Sequence, residues 1–343
     1  MARSAAPATA AWDTAVELTA VSKTFYQQQR AGDLRDALKN FFHPRSKEIR
    51  ALDAVSLNIK RGEFVAYAGP NGAGKSTTIK LLCGMLMPDA GQVKAMGLSP
   101  EKNRAALMRR MGVLFGNRTE LWWDHPILSS FAWKREVWNI PDATYRRMLA
   151  DVTERLEIGG LLNTFARELS LGQRMRCELA LMLLHNPELI LLDEPTLGLD
   201  VLAKRQMIEY LRTLGETYGT TVLVTSHDMD DLAEMAQRVI LISNGRIALD
   251  STFDRLRQTN SLKRLVRART ASLTPPALKT ARYAGSEGTL HTYAFEPMKT
   301  PVREVLKELS EIPSISDVEL AAEPLEAVIA SLYKSWRTEP QGS

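Results

Sequence analysis

A glycine-rich loop between a short apolar run and an apolar helical pattern constrains the fold of this chain more than any other feature. The loop is GPNGAGKST, residues 69–77. Before it, FVAYA (64–68) predicts a short buried strand, and after it Ile79, Leu82 and Leu86 recur with helical spacing. Strand, loop and helix in this order predict an α/β domain in which the loop joins a sheet to a helix.

The same loop matches the phosphate-binding pattern of Gly, four residues, Gly, Lys and Ser or Thr. Gly72 and Gly74 let the backbone curl so that successive N–H groups face one point. A helix that starts near Lys75 adds its positive dipole end there. Lys75 is expected to reach the β- and γ-phosphates, and the Ser76 hydroxyl to hold Mg²⁺. Nucleotide binding is therefore assigned to Gly69, Pro70, Asn71, Gly72, Ala73, Gly74, Lys75, Ser76 and Thr77.

Two successive carboxylates, Asp193 and Glu194, follow the apolar run LILL at residues 189–192. Such a run suits a central strand of a parallel sheet. Asp193 is then placed to bind Mg²⁺, directly or through water, and Glu194 to orient and deprotonate an attacking water. The plainer interpretation is that two acids end a strand and begin a turn, and the pair alone does not choose between the two.

Three further segments identify a family when they are taken together with the loop. LSLGQ (169–173) precedes the acidic strand, and Leu199-Asp200 and SHD (226–228) follow it. In this order the chain resembles the ABC ATPase family over residues 18–250. The resemblance implies ATP and Mg²⁺ as cofactors. It also implies an α/β fold: a P-loop NTPase core of ABC type with an antiparallel β subdomain, a helical subdomain and a small C-terminal α+β domain.

The resemblance assigns roles by position. Ser170, Gly172 and Gln173 match the signature, which in this family contacts the γ-phosphate held by the opposite subunit. A helix over residues 174–185 would then direct its N-terminus at phosphate. Asp200 matches the loop that crosses between subunits, and His227 matches the switch histidine. The resemblance thus implies a homodimer around two ATP molecules, with Lys75, Glu194 and His227 as the catalytic residues.

Two positions depart from the family pattern. Leu171 stands where the signature usually has glycine, which the backbone tolerates as long as position 171 needs no positive φ. Asn117 stands where the family has a glutamine that binds Mg²⁺ after a strand, here residues 112–115. It offers the same amide with one methylene less, so it is assigned to both nucleotide and metal with a shorter reach.

An aromatic residue is expected to stack on adenine. Phe25 and Tyr26, in SKTFY, are the candidates, and the spacing after Lys23 favours Phe25. Stacking needs only a ring face, so either residue could serve. The alternative is a half-buried strand aromatic without contact to nucleotide.

Composition excludes several other classes. No apolar run reaches the roughly 18 residues of a membrane-spanning helix, and residues 1–14 lack the apolar segment of a signal peptide. Two cysteines, Cys83 and Cys177, are expected to be reduced and buried. The net charge of +4 comes from scattered basic residues, whereas a nucleic-acid-binding face is usually denser. We expect a cytoplasmic protein without a nucleic-acid partner.

The chain divides by pattern into a flexible N-terminus (1–14), an ATPase domain (15–250) and a small accessory domain (251–343). An insertion at about 27–50 carries a predicted helix at 33–42, which is either a surface helix or an amphipathic one that lies against the membrane or a partner. In the accessory domain the pattern predicts strands at 263–267, 289–295 and 315–320, helices at 302–309 and 325–333, and a turn at 285–288. Its expected role is dimer contact or regulation.

The predicted helical subdomain (about 119–171) holds a cluster of tryptophans: Trp122, Trp123, Trp133 and Trp138. Aromatic residues serve equally as core residues and as interface anchors. In similar proteins this subdomain receives the transmembrane subunit. We therefore expect at least one of Trp122 and Trp123 at that interface.

FGNRTELWWDHP together with LSLGQRMR resembles ATPase subunits of ABC-2-type exporters. The resemblance implies a separate ABC-2-type transmembrane permease, and a peripheral location at the cytoplasmic side of the inner membrane. The transported substrate would be chosen by the permease.

The alternative is a soluble ABC ATPase that acts on ribosomes, on DNA or in assembly. Ribosome-acting members usually carry two cassettes, whereas this chain shows one. DNA-repair members place a long coiled coil between loop and signature, and here that stretch is roughly 100 residues without sustained heptads. Both observations favour transport.

Overall fold

The computed structural model describes residues 12–28, 46–116, 118–226, 228–260, 264–322 and 324–338. It divides the chain into two compact units, Met1–Asp250 and Ser251–Ser343. The predicted helix at 33–42 lies outside the described residues, so its two interpretations stay open.

The first unit contains a six-stranded sheet that follows from its apolar runs. The order is β5-β6-β7-β3-β8-β9, and neighbours from β5 to β8 are parallel. The strands are β3 (Phe64–Ala68), β5 (Met111–Phe115), β6 (Leu189–Asp193), β7 (Thr221–Thr225), β8 (Arg238–Ser243) and β9 (Arg246–Thr252). Because these parallel strands point the same way, their carboxyl ends meet at one edge of the sheet.

A second sheet in this unit is antiparallel, in the order β2-β1-β4, with β1 at Thr14–Gln28, β2 at Ser46–Lys60 and β4 at Ala90–Ala95. Its apolar face shares one core with β3 and with the helix after the loop, through residues such as Leu18, Ile59 and Ile79. The described ends of the predicted insertion, 27–28 and 46–50, continue β1 and β2 as paired strands.

The last residues of the predicted flexible N-terminus, 12–14, are held by contacts with the folded core. Trp12 is 9% exposed, and the guanidinium groups of Arg61 and Arg110 lie 4.9 and 5.7 Å from its ring. β1 begins at Thr14. A large aromatic side chain with two cation–π partners holds residues 12–14 against the core, which the polar character of this segment concealed.

Four of the helices in the described part of the first unit begin directly after loops that carry the motifs. The helices are α1 (Lys75–Leu82), α2 (Pro100–Met108), α3 (Ile127–Val137), α4 (Asp142–Arg155), α5 (Leu171–Leu183), α6 (Val201–Tyr218) and α7 (Met229–Met235), and the four are α1, α5, α6 and α7. α3 and α4 form the helical part between loop and signature. Among the described helices, none combines the length and apolarity that crossing a membrane requires. Cys83 and Cys177 are free and buried, as expected.

The second unit is a four-stranded antiparallel sheet in the order β11-β12-β10-β13 with three helices. Its apolar face, including Val266 and Tyr293, packs against Val305 and Leu309. The elements are α8 (Phe253–Asn260), β10 (Arg264–Thr270), β11 (Arg282–Glu287), β12 (Leu290–Phe295), α9 (Val302–Ser310), β13 (Ile315–Ala322) and α10 (Leu325–Thr338).

β11 corrects the predicted turn at 285–288. Residues 285–287 lie in the strand, and Gly288 and Thr289 alone connect it to β12. The strand RYAGSE is mostly exposed at the edge of the sheet, so it lacks the apolar alternation by which a strand is recognised in sequence.

Candidate functional site

The glycine-rich loop lies between β3 and α1, near the middle of the parallel sheet. Two of its three glycines are required because a side chain there would clash with the core. A Cβ on Gly69 would lie 2.3 Å from the Ile242 carbonyl oxygen, and one on Gly74 would lie 2.6 Å from that of Ala51. Gly72 and Gly74 also have positive φ, at 78° and 115°. The backbone of strands on both sides therefore fixes the shape of the loop.

Lys75, the first residue of α1, turns back across the loop. Its Nζ donates to the carbonyl oxygens of Gly69 at 2.6 Å and Pro70 at 3.3 Å. Burial lowers the pKa of Lys75, and the nearby charges of Glu194 and Asp193 partly offset this effect. The lysine and both predicted carboxylates thus share one electrostatic environment at the carboxyl edge of the sheet.

Asp193 ends β6 and is held by the neighbouring strand β7. Thr225 Oγ1 donates to Asp193 Oδ1 at 2.7 Å. This hydrogen bond joins the acidic strand β6 to β7, and β7 is in turn the neighbour of β3, the strand that enters the loop. Thr225 was not among the predicted site residues. A threonine at the end of an apolar strand (TVLVT) is the only sequence signal for it, and that signal is weak.

Glu194 occupies a strained backbone conformation, with φ of 57°. Its N–H donates to the Thr225 carbonyl oxygen at 3.1 Å and approaches Thr225 Oγ1 at 3.2 Å. A residue other than glycine in the left-handed region costs about 1–3 kcal/mol, and such strain concentrates at functional sites. The left-handed conformation turns the chain directly after Asp193.

The signature segment forms the start of α5 and corrects the predicted helix. The helix begins at Leu171 and ends at Leu183, instead of spanning 174–185. Ser170 is its N-cap: Gln173 N donates to Ser170 Oγ at 3.3 Å, and Ser170 N donates to Gln173 Oε1 at 3.0 Å. This capping box is visible in the sequence as Ser-x-x-Gln and predicts the earlier start.

Leu171 adopts helical backbone, so the substitution for the usual glycine causes no strain at that position. Its side chain is 38% exposed and lies against the loop that carries Asp200, where a Cβ on Gly198 would come within 2.8 Å of Leu171 Cδ2. Gly172 also packs closely, because a Cβ there would lie 3.0 Å from Ala203 Cβ. The signature and the Asp200 loop therefore form one continuous surface.

Asp200 is the N-cap of α6 and is exposed. Its Oδ1 accepts a hydrogen bond from Ala203 N at 2.9 Å. Asp228, next to His227 in sequence, plays the same part for α7, accepting from Asp231 N at 3.1 Å. Both predicted functional loops thus end in helix caps, which set where each helix begins.

Comparison with known proteins gives a consistent result. Residues 52–197 match the family model described as ABC transporter. The chain is 30% identical to the ABC transporter ATP-binding protein NatA of Bacillus subtilis (strain 168) over 62% of its own length and 88% of that protein. This chain belongs to the ABC transporter ATP-binding family.

Two other comparisons extend this result. The probable multidrug ABC transporter ATP-binding protein YbhF of Escherichia coli (strain K12) is 31% identical over 61% of this chain, but the match spans only 36% of YbhF. A solved dimeric ATP-binding cassette, in a post-hydrolysis state bound to ADP and Pi, aligns with a TM-score of 0.57 at 25% identity. The alignment covers 69% of this chain and 98% of that one.

The residues of this ABC transporter ATP-binding chain fit a bound nucleotide and a divalent cation. Gly72 has positive φ, and no atom lies within 4 Å of the position of a Cβ there, so the loop backbone is open on that side, as close approach of phosphate requires. α1 carries no side-chain cap, so its first N–H groups are left to a ligand. Ser76 and Asp193 supply the hydroxyl and carboxylate oxygens that Mg²⁺ prefers.

Of the remaining predicted site residues, the structure describes the two aromatic candidates for adenine stacking. Phe25 and Tyr26 lie on β1, 37% and 69% exposed, so both offer a ring face. Lys23 Nζ lies 5.9 Å from the centre of the Phe25 ring. Asn117 and His227 lie outside the described residues, and their assigned contacts stay predictions.

Proposed function

We propose that this chain binds and hydrolyses ATP as the motor subunit of an ABC-2-type export complex, and that two copies enclose two ATP molecules and drive a separate permease. One observation carries the proposal. A sterically required glycine loop, Lys75 and the pair Asp193–Glu194 share one edge of the parallel sheet. That set binds phosphate, neutralises its charge and offers a base for water.

Each residue has a role in this mechanism. The loop N–H groups and Lys75 hold the phosphates and withdraw charge as the γ-phosphoryl group leaves. Asp193 and Ser76 would hold Mg²⁺, which supplies Lewis-acid neutralisation of the phosphates. Glu194 orients a water molecule and accepts its proton. Its backbone adopts a left-handed conformation, of the kind that concentrates at functional sites.

A second copy would complete the site. Around Ser170 and Asp200 the surface is apolar and exposed: Leu171, Leu197, Val201 and Leu202 all face solvent. Exposed apolar groups beside capped helix starts favour an interface, and the dimeric ATP-binding cassette that aligns with this chain supports a second copy as the partner. The signature of one copy would then meet the phosphate held by the other.

The export assignment rests on sequence resemblance. The segment from residue 115 to 126, FGNRTELWWDHP, and the signature LSLGQRMR resemble exporter subunits. The name of YbhF, a probable multidrug transporter component, agrees with export. In this assignment the chain sits at the cytoplasmic side of the membrane and is held there by its permease.

The helical part offers a surface for that permease. Trp122 and Trp123 are both exposed, and the Trp122 ring lies 5.6 Å from that of Trp133 and 5.3 Å from that of His125.

Next to the start of this segment lies a cavity of about 300 Å³. Its lining includes methionines, an aromatic residue and two arginines: Met85, Met108, Met182, Phe115, Arg104 and Arg118. Flexible methionines and exposed tryptophans suit the docking of an amphipathic segment.

Co-purification tests the proposal. The tagged full-length chain should bring a multispanning membrane protein with it from detergent-solubilised membranes and should release phosphate from ATP. Replacing Trp122 and Trp123 together by Ala should weaken that association, whereas Tyr283→Ala, an exposed aromatic of the second unit, should not. Recovery of ribosomes or DNA in place of a membrane protein would contradict transport.

A further inference from the structure

A half-buried lysine on α6 joins the functional loops of this ATPase. Lys204 follows Asp200 by one helical turn. Its Nζ lies 2.5 Å from Asp228 Oδ2 and 2.7 Å from Asp231 Oδ1. The Lys204 side chain is 29% exposed and that of Asp231 only 8%. Ion pairs this close and this sheltered hold their geometry more firmly than exposed pairs do.

The network continues from Asp231 to the turn that follows the acidic strand. Thr196 Oγ1 donates to Asp231 Oδ2 at 3.0 Å, and both residues are buried. Asp228 Oδ1 accepts from Asp231 N at 3.1 Å, which closes the network at the start of α7. Each carboxylate oxygen of Asp231 and Asp228 therefore accepts a hydrogen bond from Lys204, Thr196 or a backbone N–H.

Three segments that carry candidate active residues meet in this network. Thr196 stands two positions after Glu194, Lys204 four after Asp200, and Asp228 directly after His227 in sequence. Lys204 is the single cation among the network's side chains. Without it, two neighbouring carboxylates at the start of α7 would repel each other, and the first turn of that helix would shift.

The charges of the network remain paired at neutral pH. Burial opposes the charge of Lys204, but the hydrogen bonds to Asp228 and Asp231 prevail and raise its pKa. Burial likewise acts to raise the pKa of Asp228, and the hydrogen bond from Lys204 outweighs it, so that pKa is lowered. The pair is thus ionised over the range in which an ATPase works.

We propose that Lys204 is a positioning residue for ATP hydrolysis, which holds the start of α6 and the start of α7 in one arrangement with the segment after Glu194. The proposal rests on the ATPase function proposed above. Lys204 does not touch the reacting groups but positions the segments that carry them, through its contacts with Asp228 and Asp231 and through the hydrogen bond from Thr196 to Asp231. Engagement of Asp200 by a second copy would be transmitted by the same contacts to the segment after β7.

Steady-state kinetics of the full-length chain test this role. Lys204→Met keeps the alkyl chain and removes the ammonium group. It should lower kcat about tenfold or more while KM for ATP stays within about twofold, because misplacement of catalytic groups costs turnover more than affinity. Lys204→Arg, which keeps the charge, should restore most of kcat. Lys94→Met, which removes an exposed ion pair with Glu17 on the antiparallel sheet, is the matched control and should leave kcat unchanged.

A double-mutant cycle separates positioning from general stability. Asp228→Asn combined with Lys204→Met should lower kcat by much less than the product of the two single effects, because both remove the same contact. Thermal unfolding should show Lys204→Met folded at the assay temperature.

The outcomes distinguish the two proposals. Equal kcat for Lys204→Met and Lys94→Met would overturn the positioning role and leave the ATPase intact. A parallel loss of folded fraction, ATP affinity and kcat would overturn it as well, since that pattern marks a purely structural residue. Absence of turnover in the wild-type chain would overturn the ATPase function and this inference with it.

Discussion

The phosphate-loop region and the signature region both place a helix N-terminus where phosphate is expected, yet they are built in opposite ways. α1 begins after Gly74 at positive φ without a side-chain cap, and Lys75 is only 6% exposed. α5 begins at Ser170 with a complete capping box and unstrained backbone, and Leu171 beside it is exposed. In the first region the lysine is buried and two glycines are fixed against the core, whereas the second region is exposed and capped by its own side chain.

This difference shows what each region can bind. The glycine loop is shaped by its own core, through Ala51 and Ile242, so a ligand can be held within one chain. In α5 the box uses the N–H groups of Ser170 and Gln173, and those of Leu171 and Gly172 lie outside it at an exposed helix start. We infer that the first region binds nucleotide alone and that the second acts only when another copy presents one.

The largest effect on hydrolysis should come from replacing the carboxylate of Glu194. Glu194→Gln keeps the shape of the side chain and removes its basicity, so hydrolysis should fall by about a hundredfold or more while ATP binding is retained. Trapped ATP should then hold two copies together, which size-exclusion chromatography with and without ATP measures. The control is Glu188→Gln at the other end of β6, where the carboxylate pairs with Arg110. Unimpaired turnover in Glu194→Gln would remove Glu194 from its role.

The second test removes the charge of the loop region. Lys75→Ala should weaken nucleotide binding by about ten- to a hundredfold, since a buried cation aimed at phosphate is lost. Binding of a fluorescent ATP analogue measures it. Lys80→Ala, on the same helix beyond the loop, should bind as the wild type does. Equal affinities of the two variants would place the phosphates elsewhere.

The third test separates the two regions directly. Ser170→Ala should leave the ATP affinity of a single chain unchanged but abolish the ATP-stabilised dimer in the Glu194→Gln background. Loss of the cap should also cost about 1 kcal/mol of stability in urea unfolding. Ser99→Ala is the matched control, because Ser99 is an N-cap of α2 without a side-chain bond. A dimer that survives Ser170→Ala would break the comparison.

The smallest effect concerns the far end of the signature helix. His185 follows α5, stacks on Trp138 at 5.5 Å and bonds Met111 O through Nε2 at 3.0 Å. Burial, helped by the charge of Lys134, lowers the pKa of His185 to about 4. In the unfolded chain the pKa is about 6.5.

Between these values the unfolded state binds the proton and the folded state does not, so stability falls as pH drops from 6.5 to 4. His185→Gln removes this one titration, so the slope of unfolding free energy against pH should flatten by up to about 1.4 kcal/mol per pH unit. Urea unfolding across that range measures it. Identical slopes for wild type and variant would show that the histidine has the same pKa in the folded and unfolded states.

Local sequence pattern correctly predicted the secondary structure of the segments that carry the glycine loop and the acidic pair. The strand FVAYA, the loop and the strand ending in Asp193 lie as predicted, because apolar runs and glycine positions are local properties. It failed at β11, an exposed edge strand, and at the start of α5, where the capping box begins the helix inside the signature segment instead of directly after it. It also missed the burial of Trp12, which depends on Arg61 and Arg110 from distant parts of the chain.

The sequence by itself determined the local elements and predicted their chemistry: a glycine loop that matches the phosphate-binding pattern, two acids after an apolar strand, and a segment that matches the signature. Only the tertiary structure decided which side chains act together. Thr225 on Asp193, Leu171 against Gly198, and Lys204 between Asp228 and Asp231 all join residues far apart or unremarkable in sequence. Their partners are brought close by sheet order and helix packing, which depend on the whole core and not on any one segment.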